Sequence, residues 1–375
     1  MKDVIVVGGG PAGSYVSYRL SKQGFSVLQL EEHREIGKPV ECTGLVSKRV
    51  LDFVPTKSIA NVVHGANVFF PDGKSIHLRK DEETIVLYRD SFDKDAAAQS
   101  ISAGTDLRIN AKATGVSVKN DGCDVTFREN GNIRQERSRI VIGADGINSV
   151  VRRDVFNIRP TKIVSTLQYD VAGKTDDQDS VNVYLGSSLT HGFFGWAVPG
   201  GDITRIGTGS YRTSPKPYME RLISKFGENK ILSITGAGIP ISVMRKLEGY
   251  RTILVGDAAG VAKPLSGGGI YTGLLSSYMA SIAVSDALEK EEYTDSLKSY
   301  RKMLFKKIGR ELKIDGFVQN IFSRINDRSF DRIYNFISNK KIIDVINRSG
   351  DIDYPSKVLI GVIIRDPAVL YSMLK

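Results

Sequence analysis

Residues Asp3-Val4-Ile5-Val6-Val7-Gly8-Gly9-Gly10-Pro11-Ala12-Gly13 constrain the chain most, because an apolar run enters a glycine turn that opens a helix. Val4 to Val7 has the near-continuous apolar character of a central parallel strand buried on both faces. Gly8, Gly10 and Gly13 match G-x-G-x-x-G: the first permits the tight turn, the second lets backbone approach a pyrophosphate, and the third lets the helix pack on the strand. Pro11 and Ala12 complete the turn, where unpaired N–H groups at the helix start attract phosphate. A second strand, Phe25 to Leu30, ends in Glu31, 18 residues beyond Gly13, where a carboxylate can accept from a ribose diol. Glu32 competes for that role. The fingerprint predicts an adenine dinucleotide and leaves NAD and FAD open.

A chain of 375 residues implies two or three domains. Its 52 Lys and Arg against 42 Asp and Glu give a net charge of +10, which suits an anionic partner. No nucleic-acid motif accompanies the charge, so a phospholipid surface is favoured. Only Cys42 and Cys123 are present, which excludes a disulfide framework or cysteine-held cluster and fits a reducing cytoplasm. His64, His77 and His191 lack metal-ligand spacing, and no metal is expected. Met1 leads straight into the first strand, so no signal or transit peptide is expected. The uncharged stretch 264–285 is long enough to test as a membrane span, but its glycines and serines predict a loop and a buried helix.

Gly65 to Arg79 reads as a β-hairpin that briefly visits a second domain. Tyr88-Arg89-Asp90 begins a helix to about Ala103 with Asp90 as its cap, and short strands near 107–136 form a small antiparallel insert. Arg139 to Gly146 returns to a buried strand ending at Asp145-Gly146. From Thr161 to about Met244 the pattern is strand-like with one helix near Lys216 to Phe226, and Arg251 to Asp257 is again a β-run.

The glycine turn with Glu31, the Asp145-Gly146 strand end and Gly256-Asp257-Ala258-Ala259 stand in an order that resembles the FAD-binding flavoproteins related to p-hydroxybenzoate hydroxylase. The fold expected is therefore α/β: a Rossmann-like FAD-binding domain of that type (1–62, 80–160 and 248–296), an antiparallel-sheet substrate domain (63–79 and 161–247) and a helical C-terminal region (297–375). Asp257 would accept from ribityl hydroxyls. Pro264, the Gly267-Gly268-Gly269 turn and Ile270 would bring a helix N-terminus to the flavin, and Arg89 lies where this family places an arginine near the cofactor. The competing structural readings are that Asp145 and Asp257 cap turns and that Arg89 pairs with Asp93.

Gly37-Lys38-Pro39-Val40-Glu41-Cys42, Arg89 to Asp93, Phe194-Gly195-Trp196-Ala197-Val198-Pro199 and Gly256 to Gly269 resemble most closely the archaeal geranylgeranyl reductases, including digeranylgeranylglycerophospholipid reductases. That resemblance implies saturation of isoprenoid C=C bonds with FAD as cofactor, a geranylgeranylated lipid as substrate, and NAD(P)H, ferredoxin or another reductant as electron donor. It also implies a pocket lined by the Phe194–Pro199 segment. Phe194 stands where the family usually has tyrosine and Val198 where it has phenylalanine. Trp196 would wall off water beside the flavin or simply fill core, and Cys42 would line the active site, touch the cofactor, or serve as a small hydrophobe.

The alternatives are a flavin monooxygenase or halogenase and an electron-transfer flavoprotein. The halogenase Trp-x-Trp-x-Ile-Pro pattern is not met, and the electron-transfer relatives carry a cysteine cluster that this chain lacks. Residues 298–313 carry seven basic residues and one acid, with Tyr300, Leu304, Ile308 and Leu312 every fourth position. That pattern suits a basic amphipathic helix on the inner face of a membrane, or a surface helix packing its stripe on the core. A cytoplasmic protein peripherally attached to the membrane is expected.

Overall fold

The computed structural model describes residues 1–227 and 230–354. The chain opens with β1 (Lys2–Val7), α1 (Pro11–Ser21) and β2 (Val27–Leu30), then leaves for a second sheet through β3 (Leu45–Ser47), β4 (Ile59–Phe69) and β5 (Ser75–Leu87). It returns through α2 (Arg89–Ser102), β6 (Asp106–Arg108), β7 (Ala111–Lys119), β8 (Gly122–Glu129) and β9 (Asn132–Gly143). A longer excursion follows: β10 (Ile163–Ala172), β11 (Ser180–Tyr184), β12 (Gly195–Pro199), β13 (Ile203–Tyr211), α3 (Lys216–Ile223) and β14 (Ile231–Pro240). The last return is β15 (Glu248–Gly249), β16 (Thr252–Leu254), α4 (Gly256–Ala259) and α5 (Ile270–Lys290), and α6 (Asp295–Phe322), α7 (Asp327–Ile337) and α8 (Lys340–Ser349) close the described chain.

The parallel core of the first sheet runs β16-β9-β1-β2-β6, the order of a dinucleotide-binding half, with β15 antiparallel beside β16 and β7 and β8 joined to β9 as an antiparallel meander. Val4, Ile5 and Val6 are fully buried in it, in one core with residues of α1, α2 and α5 and with Ala111, Ala113, Val116, Val125 and Phe127 of β7 and β8. The direction of strand order reverses at β1 beside β9, and the turns after β1, β9 and β16 therefore meet at one carboxyl edge. Two features differ from the expectation. The 132–143 stretch is one unbroken strand, pairing β8 in its first half and β1 in its second, because no residue between breaks the extended run. The α2 helix begins at Arg89 with Tyr88 as its cap, so Asp90 lies inside the first turn and does not cap it.

The second sheet runs β14-β10-β13-β12-β11-β4-β5-β3, antiparallel except for β11 beside β4. Its hairpin, expected over 65–79, extends from Ile59 to Leu87, and its register shifts between Val63 and Gly65, opposite the charged segment 79–84. The inner face, packed toward the first domain, carries Val164, Phe193, Trp196, Val198 and Ile241, and α3 covers the outer face through Met219 and Leu222.

The serines of 264–285 serve as connectors. Ser277 Oγ donates to the Ala12 carbonyl (2.8 Å), and the Gly256 N–H donates to Ser276 Oγ (3.0 Å). Among the described residues, no helix is long and apolar enough to cross a membrane. The α6 stripe is also committed: Tyr300, Leu304, Ile308 and Leu312 lie in the main core, and Tyr300 Oη donates to the Leu254 carbonyl (2.9 Å). The surface-helix alternative accounts for this stripe, because apolar side chains already covered by protein cannot enter a bilayer. Of the C-terminal region expected over 297–375, positions 355–375 lie outside the described residues.

Candidate active site

Three small-residue turns converge at the carboxyl edge of the first sheet. Gly8 has φ +114°, and a Cβ there would run into the Ala144 carbonyl; a Cβ on Gly13 would overlap the Gly8 carbonyl. Both glycines are thus required by the protein's own packing. Gly10 differs, since a Cβ there meets nothing within 4 Å and its φ of −70° suits any residue. The space in front of Gly10, at the start of the 11-residue α1, is the cradle a pyrophosphate would fill. Gly256 (φ +58°) and Gly273 bring α4 and α5 against Ala12, closing the cradle from the far side.

Glu31 ends β2 buried, accepting the Gly9 N–H at 2.6 Å and the His33 N–H at 2.9 Å. Glu32 points to solvent and pairs with Lys112 at 2.6 Å. Consecutive residues leaving a strand face opposite ways, so only Glu31 of the two acids reaches the turn. Asp145 Oδ2 accepts the N–H groups of Val150 (2.7 Å) and Val151 (3.3 Å), the capping arrangement, while its Oδ1 is buried without a partner. Gly146 (φ +66°) has open space beside it. Burial pushes the Asp257 carboxyl up to about 6, against the pull of Arg89 and Arg152, and a Cβ on Gly269 would come within 3.0 Å of its Oδ1. An orphaned acceptor at Asp145 and the partly buried Asp257 carboxyl beside the Gly267–Gly269 turn are what a polyhydroxylated chain would satisfy. Pro264 and Ile270 frame that turn, which leads into the 21-residue α5.

Arg152 escaped the sequence reading. It donates to the carbonyls of Ala258 (3.1 Å) and Gly146 (3.4 Å), clamping the second turn to the third, and burial lowers its pKa despite Asp145 and Asp257.

Toward the second sheet, Arg89 forms a two-pronged pair with Asp93 (both 3.0 Å), the partner offered by the structural reading. It also faces the sulfur of Cys42. Burial opposes the Arg89 charge, but Asp93 and then Cys42 outweigh it and raise its pKa. The Gly44 N–H donates to Cys42 Sγ at 3.4 Å. Buried Arg205 holds this segment by donating to the carbonyls of Thr43 and Leu87.

Across from Cys42 stands an aromatic wall. Phe193 stacks on Phe194 (4.3 Å between centroids), and Phe194 meets Trp196 edge-on (6.0 Å). The wall lies flat because β13 places glycines beneath it: a Cβ on Gly207 would overlap the Trp196 indole, and one on Gly209 the Phe193 ring. Trp196 Nε1 donates to Gln168 Oε1 (3.2 Å), which also accepts the Thr43 hydroxyl (2.9 Å). Gln168 therefore fixes the wall relative to the Cys42 segment. Its sequence context does not signal it, because Gln168 alternates in phase with the polar Thr166 and Asp170. Together, the turns and the wall bound a site with an open glycine turn at one end and apolar aromatic surface at the other.

The FAD binding domain family matches residues 1–305. A Thermoplasma volcanium protein named digeranylgeranylglycerophospholipid reductase is 32% identical, with 92% of this chain and 93% of that protein covered. A Methanosarcina acetivorans protein of the same name is 29% identical over 88% and 87% of the two chains. Among solved structures, a geranylgeranyl bacteriochlorophyll reductase-like protein from Thermoplasma acidophilum superposes with a TM-score of 0.87 at 27% identity, covering 99% of this chain and 98% of the other. A flavin-dependent brominase at 17% identity shares the fold, with a TM-score of 0.75 and full coverage of both chains. Glycine cradle, buried acids and near-complete kinship agree: the chain belongs to the FAD-binding-domain flavoproteins and, within them, to the digeranylgeranylglycerophospholipid reductase family.

Proposed function

We propose that the protein is an FAD-dependent reductase that saturates C=C bonds in the geranylgeranyl chains of ether-lipid precursors. The observation that carries this reading is the kinship with proteins of that name along nine-tenths of the chain. The geometry is consistent with it, since a wall of Phe193, Phe194 and Trp196 suits an isoprenoid chain.

In this reading the Gly8–Gly13 turn, with Pro11 and Ala12, holds the pyrophosphate, Glu31 the ribose, and Asp145, Gly146 and Asp257 the ribityl chain. The segment Pro264 to Ile270 sets the positive end of α5 against the pyrimidine edge. Bound FAD, once reduced, supplies hydride to one alkene carbon. Trp196 and Phe194 keep water from the reacting atoms, and Arg89 with Cys42 closes the polar side. An isolated trisubstituted alkene has no electron sink, so a proton must reach the second carbon as the hydride arrives.

The lipid substrate also implies contact with a membrane. Lys302, Lys306, Lys307 and Arg310 are exposed along α6. Because the apolar stripe beneath them is buried, we assign this face an electrostatic role toward anionic headgroups, without insertion.

The decisive experiment incubates chemically reduced protein with a geranylgeranylated glycerophospholipid without oxygen and reads the lipid by mass spectrometry. Two hydrogens gained per reduced bond, with loss of the reduced-flavin spectrum, is the expected result. Unchanged lipid across a range of chain types and donors would refute the assignment. Repeating it with NADPH, NADH and reduced ferredoxin identifies the donor.

A further inference from the structure

Each saturation consumes a proton inside a site walled against water, so a group beside the site has to carry it. Cys42, whose Sγ accepts the Gly44 N–H, and Asp257 are candidates, while the nearby guanidiniums are held by acids or carbonyls. The seam between the flavin loop and the aromatic wall contains another candidate. Asp315 of α6 is 1% exposed, and its Oδ2 has no hydrogen-bond partner. One turn on, Gln319 is 3% exposed; its Nε2 donates to the Gly192 carbonyl (2.8 Å), and its Oε1 is likewise unpartnered. Gly316 packs toward Pro264 of the flavin loop, and Gly192 leads into Phe193, whose ring lies against Gly209 and Gly267. The 315–319 face of α6 therefore borders both the flavin loop and the aromatic wall. A carboxyl buried without a partner favours its neutral, proton-bearing form.

We propose that Asp315 is the proton-supplying residue of the reaction, with Gln319 Oε1 holding a bridging water on the route to the aromatic wall. This rests on the reductase reading above. In each turnover the Asp315 O–H bond breaks and a C–H bond forms at the alkene carbon that does not receive hydride. The π pair makes that bond, the hydride pair makes the other, and the carboxylate is reprotonated from solvent.

The electrostatics agree. Burial pushes Asp315 up to about 7, Lys263 pulls it down, and Glu311 on the preceding turn pushes it up. Lys263, from the flavin loop, is itself paired with Asp353 (3.0 Å), which Arg49 also contacts (3.2 Å). The ammonium is near enough to steady the carboxylate after donation, yet committed elsewhere, so it does not hold Asp315 ionised beforehand.

The test compares wild type, Asp315→Asn and Asp315→Glu as FAD-loaded proteins, reduced anaerobically and mixed with the lipid in single turnovers from pH 5.5 to 9. Wild-type rate should fall as pH rises through about 7. Asp315→Asn should be at least about 100-fold slower without that limb, and Asp315→Glu should recover part of the rate. FAD content and reduction by dithionite should not change. In parallel, thermal unfolding should show Asp315→Asn gaining stability over wild type above pH 7 and not below pH 4, a readout independent of turnover. An Asn variant within threefold of wild type with the same pH limb would overturn the proposal, as would identical unfolding profiles. If wild-type protein leaves the lipid unchanged, the reductase reading fails instead, and the unfolding arm still reports whether Asp315 is the protonated acid.

Discussion

Gly8 and Gly10 lie two residues apart in one turn, yet the protein needs them for different reasons. Gly8 sits at φ +114°, with the Ala144 carbonyl where a side chain would go. Gly8→Ala should therefore destabilise the apoprotein by roughly 2–4 kcal/mol, through backbone strain and the forced displacement of the β9 turn. Gly10 has ordinary dihedrals and empty space, so Gly10→Ala should leave apoprotein unfolding within about 0.5 kcal/mol of wild type. Its methyl would instead occupy the place of the pyrophosphate, and FAD affinity should fall at least tenfold. Paired urea melts and FAD titrations separate the effects. Equal destabilisation by both variants would mean that the space at Gly10 is not a ligand cradle.

The α6 helix shows what periodicity can and cannot tell. Its four-residue spacing correctly marks one face as apolar, but spacing does not say what covers that face, and the structure covers it with the main core. Leu304→Ala should cost about 2–5 kcal/mol of stability and leave liposome binding of the folded fraction intact. Reversing Lys302, Lys306, Lys307 and Arg310 to Glu should do the opposite, leaving the core alone and abolishing sedimentation with anionic vesicles. Wild-type binding should also be lost in about 0.5 M salt, where charges beyond a few ångströms are screened. Sedimentation that survives both treatments would remove the electrostatic role of this face.

The same limit separates what was legible from what was not. The β1 turn, Glu31, Asp145-Gly146 and Gly256-Asp257 could be read because each is a local strand end with its own glycine chemistry, and the sheet order delivers them to one edge. Gln168, Arg152 and Asp315 lie in ordinary strand or helix patterns, and Lys263 in a loop. Three of them gain meaning from neighbours 90 to 125 residues away: Thr43 for Gln168, Ala258 for Arg152, Asp353 for Lys263.

At the scale of the molecule, the C-terminal segment is tied to the cofactor edge by a set of contacts absent from any local pattern. Arg49 grips Asp351 with two hydrogen bonds (2.8 and 3.0 Å) and reaches Asp353 at 3.2 Å. Lys263 of the flavin loop donates to Asp353 and to the Ile352 carbonyl, and Tyr271 at the start of α5 shares a hydroxyl contact with Tyr354 (2.9 Å). Asp353 is 4% exposed, and both cations pair with it. Arg49→Ala removes one of them and leaves Lys263 alone against a buried carboxylate. The expected cost is about 2 kcal/mol, below that of breaking a fully buried pair because Arg49 is itself one-third exposed. The loss should be uneven: hydrogen exchange should quicken at 351–354 and through the flavin loop at 263–269, while β1 and β2 stay protected. FAD should dissociate faster in the same variant, because the loop proposed to carry the pyrimidine edge would have lost the segment that braces it. Faster exchange confined to 351–354, with flavin release unchanged, would show that the segment rests on the cofactor edge without supporting it.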